Sequence, residues 1–268
     1  MTRYITLVTS FLACVIPLLS EEVQRPRTEY LGWQTAVKLH VAEPSGLCWS
    51  RKRSTLFVVG DNGAIQEVYA NTGETKDSIF CQSGYDWEGI CLDRQTNTLY
   101  VMAERGNRIY SFSGEGHREM ELFLDATLPG TKDGMDNYGC EGLECHDGLM
   151  YLGNQHAPCM IQTIDIATKE VKSNQTLTFC SFISDLCYDE SDGSMWILES
   201  NAIKEHASGI PKLYNCSLPD FKLRRVLALP FMPQAEGLEI DARKGLIYVC
   251  CDRTGMLKSI KYEPSRGY

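Results

Sequence analysis

The sequence predicts an all-β chain folded as a five-bladed β-propeller, with six blades as the runner-up. Three observations lead there. A short phrase returns five times, as Pro44-Ser45-Gly46-Leu47, Trp87-Glu88-Gly89-Ile90, Cys140-Glu141-Gly142-Leu143, Ser184-Asp185-Leu186 and Ala235-Glu236-Gly237-Leu238, at intervals of 43, 53, 44 and 51 residues. Such a period belongs to propellers and solenoids. Each phrase leads into a polar turn and then a run of β-branched and aromatic residues, which reads as a hairpin. Two more strand-like segments follow each of the first four hairpins, and four strands make a blade.

Taken in order, the turns are Arg51-Lys52-Arg53-Ser54, Arg94-Gln95-Thr96-Asn97, His146-Asp147-Gly148, Glu190-Ser191-Asp192-Gly193 and Arg243-Lys244-Gly245. The buried second strands are Leu56-Phe57-Val58-Val59, Leu99-Tyr100-Val101-Met102, Leu149-Met150-Tyr151-Leu152, Met195-Trp196-Ile197-Leu198 and Leu246-Ile247-Tyr248-Val249. Third strands are expected at Ala64–Tyr69, Arg108–Phe112, Met160–Ile166, Pro211–Tyr214 and Met256–Tyr262. Fourth strands are expected at Lys76–Cys81, Arg118–Leu124, Val171–Phe179 and Leu223–Leu229. The last unit lacks a fourth strand of its own. Thr35–Val41, just before the first phrase, stands where one would be, so the ring is expected to close by pairing the N- and C-terminal strands.

Residues 1–20 have the layout of a secretory signal: Arg3, a mostly apolar run from Ile5 to Leu19, then Glu21-Glu22. The run is short for a bilayer span, although an amino-terminal anchor is the alternative. Cleavage would leave a polar, flexible lead-in over 21–32 and a single propeller domain over 33–268. The expected location is therefore outside the cytoplasm: periplasmic, cell-envelope or secreted, with no transmembrane span after cleavage. A hydrophobic content of 43% suits a packed globule, and a net charge of -9 disfavours nucleic acid or an anionic membrane surface as partner. The 12 cysteines match no two-plus-two zinc spacing. Cys48, Cys91 and Cys187 fall at equivalent strand positions and read as small buried hydrophobes. Asn174-Gln175-Thr176 and Asn215-Cys216-Ser217 are glycosylation sequons.

Each second strand ends on a polar residue: Asp61, Glu104, Asn154, Glu199 or Asp252. Paired residues in an antiparallel hairpin sum to a constant. Glu88 with Glu104 centres on Thr96, Ser45 with Asp61 on Arg53, and Glu236 with Asp252 on Lys244, so the two polar positions are expected at one end of each hairpin. Around a common axis that end becomes a channel mouth. Glu88, Glu141, Asp185 and Glu236 are the expected metal ligands, with Ser45 completing the inner ring and Asp61, Glu104, Asn154, Glu199 and Asp252 forming a possible second ring. Carboxylates gathered this closely cannot all ionise cheaply without a cation. Calcium, with six to eight oxygens in flexible geometry, suits such a ring better than magnesium. The competing reading is that each acid bonds backbone N–H groups at a crowded blade start.

Four segments in this order, Ser45-Gly46-Leu47 with Leu56 to Gly63, Asp86-Trp87-Glu88-Gly89-Ile90 with Ala103-Glu104-Arg105, Gly139-Cys140-Glu141-Gly142-Leu143, and Pro233-Gln234-Ala235-Glu236-Gly237, resemble the SdiA-regulated, or YjiK-like, β-propellers. The resemblance implies a bacterial extracytoplasmic propeller with calcium near its central channel. The chain departs from that pattern in its many cysteines and over Ser113–Tyr138. Three functions compete: a calcium-binding module for a small molecule or protein, a calcium-dependent phosphoester or lactone hydrolase using the same mouth, and a protein-interaction scaffold with a structural metal. For the hydrolase the candidate base is His156, two residues past Asn154, although a loop histidine is more often a surface residue.

Overall fold

A computed structural model describes residues 26–30, 32–113, 119–128, 139–155, 158–200 and 209–263. His156 and the 1–20 segment lie outside them. Every element among the described residues is a strand. Two short strands, β1 (Thr28–Tyr30) and β2 (Trp33–Lys38), precede the first blade. Blade 1 holds β3 (Pro44–Ser50), β4 (Thr55–Gly60), β5 (Ala64–Val68) and β6 (Thr75–Cys81), and blade 2 holds β7 (Trp87–Asp93), β8 (Thr98–Ala103), β9 (Arg108–Phe112) and β10 (Met120–Asp125). Blade 3 follows as β11 (Cys140–His146), β12 (Leu149–Asn154), β13 (Met160–Asp165) and β14 (Val171–Thr176). Blade 4 is β15 (Asp185–Asp189), β16 (Ser194–Glu199), β17 (Lys212–Ser217) and β18 (Leu223–Ala228); β19 (Ala235–Asp241), β20 (Leu246–Cys251) and β21 (Met256–Lys261) belong to blade 5.

Five separate sheets result, and β2 is the outer strand of the fifth, antiparallel to β21. The protein is a five-bladed propeller closed by its two chain ends. The closing strand ends at Lys38, short of the expected Val41, because Leu39 and Val41 turn inward and are buried between blades 5 and 1. Within the stretch expected as lead-in, β1 adds a fifth strand to blade 4, parallel to β18. A bidentate ion pair holds it there: Arg225 Nε and Nη2 donate to Glu29 Oε1 and Oε2, each at 2.7 Å.

The core is distributed over five apolar clusters, one between each pair of neighbouring blades. Period-2 alternation on the strands feeds these clusters, since each inner strand turns one row of side chains toward the blade before it and one toward the blade after. Cys48, Cys91 and Cys187 are buried in three of them. Acids on the inner strands also staple blade to blade: Glu144 Oε2 accepts from Tyr188 N at 2.8 Å, Asp185 Oδ2 from Leu238 N at 2.7 Å, and Glu239 Oε2 from Trp49 N at 2.5 Å. The inner strands approach so closely that a Cβ on Gly46 or Gly89 would lie 2.7 Å from the Glu88 or Glu141 carbonyl oxygen. Of the two sequon asparagines, Asn215 is fully buried and donates to Ser194 Oγ at 2.5 Å, so the folded chain offers only Asn174 at its surface.

Candidate functional site

The acid of each phrase is aimed by a backbone irregularity. In blade 2, Trp87 pairs with Ala103 and Gly89 with Met102, which leaves Glu88 as an extra residue. The same shift brackets Ser45, Glu141 and Glu236 in blades 1, 3 and 5. A bulge re-aims one side chain out of the strand's alternation, and here it releases the acid from the inter-blade faces. The hairpin in blade 2 has a four-residue turn, 94–97, so its centre falls half a residue before Thr96. Glu88 and Glu104 therefore meet at one end of the hairpin through the bulge rather than as a regular pair.

Glu88, Glu141 and Glu236 share one electrostatic neighbourhood with Asp61, Glu104 and Asp252. Burial, then Asp61, Glu104 and Glu236, push the Glu88 carboxyl well above the usual range. Burial, then Glu236 and Glu88, do the same for Glu141. Glu236 is pushed up to about 8, by burial first and then by Asp252 and Asp61, while the hydroxyls of Ser184 and Ser200 act the other way. Asp61 rises to about 6 through burial and the nearby Asp86 and Asp252, although it accepts a 2.5 Å hydrogen bond from Ser45 Oγ.

Two features stand out. Asp61, Asp86 and Glu88 each offer an oxygen within 4.8 Å of the others, a spacing that could hold a metal ion. Glu141 is only 7% exposed, and its Oε2 has no hydrogen-bond partner among the described residues. An uncompensated buried carboxylate oxygen is costly, and oxygens from separate strands fit the donor preference of a hard cation.

The other expected ligands differ in how their polar atoms are engaged. Asp185 is 1% exposed and spends its oxygens on backbone, Oδ1 on Leu186 N at 2.8 Å and Oδ2 on Leu238 N at 2.7 Å. Its charged neighbours are Glu144 and Glu239, deeper in the channel. The reason is register: aligning Leu186 with Leu143 and Leu238 puts Asp185 at the glycine position and Ser184 at the acid position, and the β15–β16 hairpin has no bulge. Glu199 accepts from Ser181 N, Ser181 Oγ and Tyr214 Oη at 2.9, 2.8 and 2.5 Å, which fastens it within its own blade. Asn154 Nδ2 donates to Pro158 O at 2.7 Å. Asp252 stays beside Glu236 while accepting from Gln234 Nε2 at 3.1 Å. Asp86 is the acid that the phrase pattern missed; the signal was an acid two residues before the ring position, as in Glu43-Pro44-Ser45 and Asp86-Trp87-Glu88.

This geometry carries a pH prediction. Acids whose folded pKa is raised stabilise the fold fully below their unfolded value and lose that contribution as pH rises through the folded one. Asp61 and Glu236 place that loss between about pH 4 and 8. His146, held below its usual value by burial, opposes the trend as a single partly exposed group. In the presence of chelator, the melting temperature should be higher at pH 5 than at pH 8. A rise across that interval would show that the mouth acids ionise in the fold without cost.

Fold and site together define a five-bladed propeller with an acidic channel mouth. The family model for SdiA-regulated proteins matches residues 31–252, and the chain belongs to that family. No curated protein matches it. Among solved structures it is similar to the glutaminyl cyclase of Myxococcus xanthus, at TM-score 0.67 and 11% identity over 88% of this chain and 98% of that one. It is also similar to a luciferin-regenerating enzyme (TM-score 0.53, 14% identity, 86% and 94% covered) and to a chain of a nidogen/laminin complex (0.53, 13%, 81% and 74%). At these identities the likeness is one of fold. No helix among the described residues is long and apolar enough to cross a membrane.

Proposed function

We propose that the chain is an exported calcium-binding propeller whose acidic mouth forms a binding module for a small molecule or a protein. The observation that carries this reading is the buried, unpartnered Oε2 of Glu141 among the carboxylates of Glu88, Glu236, Asp61 and Glu104. A cation there would compensate several charges at once. Calcium is favoured over magnesium because the donors come from separate blades and need not form a tight octahedron. Export rests on the layout of residues 1–20. A cation left partly open toward solvent at the mouth would offer its remaining coordination positions to a ligand, which is how the module would bind. Glu88 and Glu236, both only partly buried, stand at that opening.

The test is calcium titration by calorimetry after exhaustive chelation, together with elemental analysis of the purified protein. Saturable heat from calcium, weakened about tenfold or more in Glu141→Gln by loss of one charged donor, is expected. Absence of both bound metal and heat would remove calcium from the reading.

A further inference from the structure

The opposite mouth of the channel, ringed by hairpin turns, has a different chemistry. A cavity of about 300 Å³ opens there, lined chiefly by Arg51, Arg94, Glu144, His146, Tyr188 and Glu190. Its size falls at the small end of ligand sites. Glu190 bridges two guanidinium groups from other blades: Oε2 meets Arg51 Nη2 and Oε1 meets Arg94 Nη1. Arg243 adds a third positive charge near Arg51.

The remaining carboxylates of this mouth are committed elsewhere. Asp93 accepts from Gln95 N at 2.9 Å and Thr96 Oγ1 at 2.6 Å inside its own turn. Glu144 accepts from Cys145 N and Tyr188 N, at 2.7 and 2.8 Å. Asp147 is 73% exposed on its side chain and lies 3.2 Å from His146 Nε2. Glu190 is thus the carboxylate that occupies the arginine fork. Its ion pairs are partly exposed on both sides, and pairs of that kind contribute little to stability. Beside the fork the His146 ring stacks on Tyr188, with centroids 3.6 Å apart and planes at 18°, giving a flat wall.

We propose that this mouth is a second binding site, for a small organic carboxylate that displaces Glu190 from between Arg51 and Arg94 and lays its body against the His146–Tyr188 pair. Two guanidinium groups match a carboxylate in geometry as well as charge. Glu190 would then act as a tethered stand-in for the ligand, closing the fork when the site is empty. This inference does not depend on calcium at the other mouth.

Benzoate is a suitable probe, a planar carboxylate, with neutral benzamide as its control. Binding to the full chain is followed by saturation-transfer NMR and by the shift in melting temperature. Glu190→Gln removes the internal competitor and should bind benzoate several-fold more tightly than the wild type. Arg51→Gln should weaken binding about tenfold or more, the scale of a lost charged hydrogen bond. Arg94→Gln should do likewise. Arg94 faces Glu239 and Glu144, and Arg51 faces Glu239 and Asp241, so either loss can affect folding, and the ligand-free melting temperature of each variant is compared with the wild type before its binding is read. Benzamide should not bind. The proposal is overturned if benzamide binds as well as benzoate, if Glu190→Gln gains nothing, if Arg51→Gln binds unchanged, or if neither wild type nor Glu190→Gln shows saturable binding.

Discussion

Chelation of the calcium-loaded protein should lower its melting temperature by about 5–10 °C. A ligand bound only by the folded state adds about 2.7 kcal/mol when present at a hundredfold its dissociation constant, and each kcal/mol moves the midpoint of a domain near this size by about 2–4 °C. Glu141→Gln separates the metal reading from its competitor. The substitution keeps the side chain's shape and removes a charge that burial, Glu236 and Glu88 already disfavour. The variant should therefore show a much smaller calcium-dependent shift, while its chelated form is as stable as the chelated wild type or more so. Equal loss of stability with and without calcium would make Glu141 a structural acid. Scanning calorimetry of both proteins, with calcium and with chelator, gives all four values.

Asp185→Ala should cost roughly 3 kcal/mol, or about 6–12 °C, whether or not calcium is present. The carboxylate accepts from two buried backbone N–H groups, one on its own strand and one on Leu238 of the next blade. Alanine reaches neither, and each orphaned donor keeps its desolvation cost. Asp185→Asn retains one neutral acceptor and should fall between alanine and wild type. The readout is chemical denaturation with and without calcium. A penalty in Asp185→Ala that vanishes in chelator would instead place this residue among the ligands.

The sequence by itself determined the blades. Alternation of apolar residues, turn residues at fixed offsets and the recurring phrase are local signals, and they were enough for five four-stranded units and for closure by the expected Thr35–Val41 strand, of which Thr35–Lys38 pairs with β21. It also identified Glu88, Glu141 and Glu236 as residues that share a neighbourhood, because equivalent positions in a cyclic repeat must converge on the axis. Tertiary structure decided which other acids join them. Asp185 and Glu141 both stand within two residues of a Leu on an inner strand, yet the bulge that frees Glu141 is missing from the β15–β16 hairpin, and a backbone N–H of the next blade captures Asp185. Glu199 follows the apolar run of its second strand as Glu104 does, but Ser181 and Tyr214 hold it within blade 4. The parallel seat of β1 on β18, and the meeting of Arg51, Arg94 and Glu190 across three blades, are equally beyond local pattern. Periodicity fixes which face of a strand is apolar; the direction of a polar side chain at a strand end depends on partners in other segments, 15 residues away for Glu199 and Tyr214 and 53 for Asp185 and Leu238.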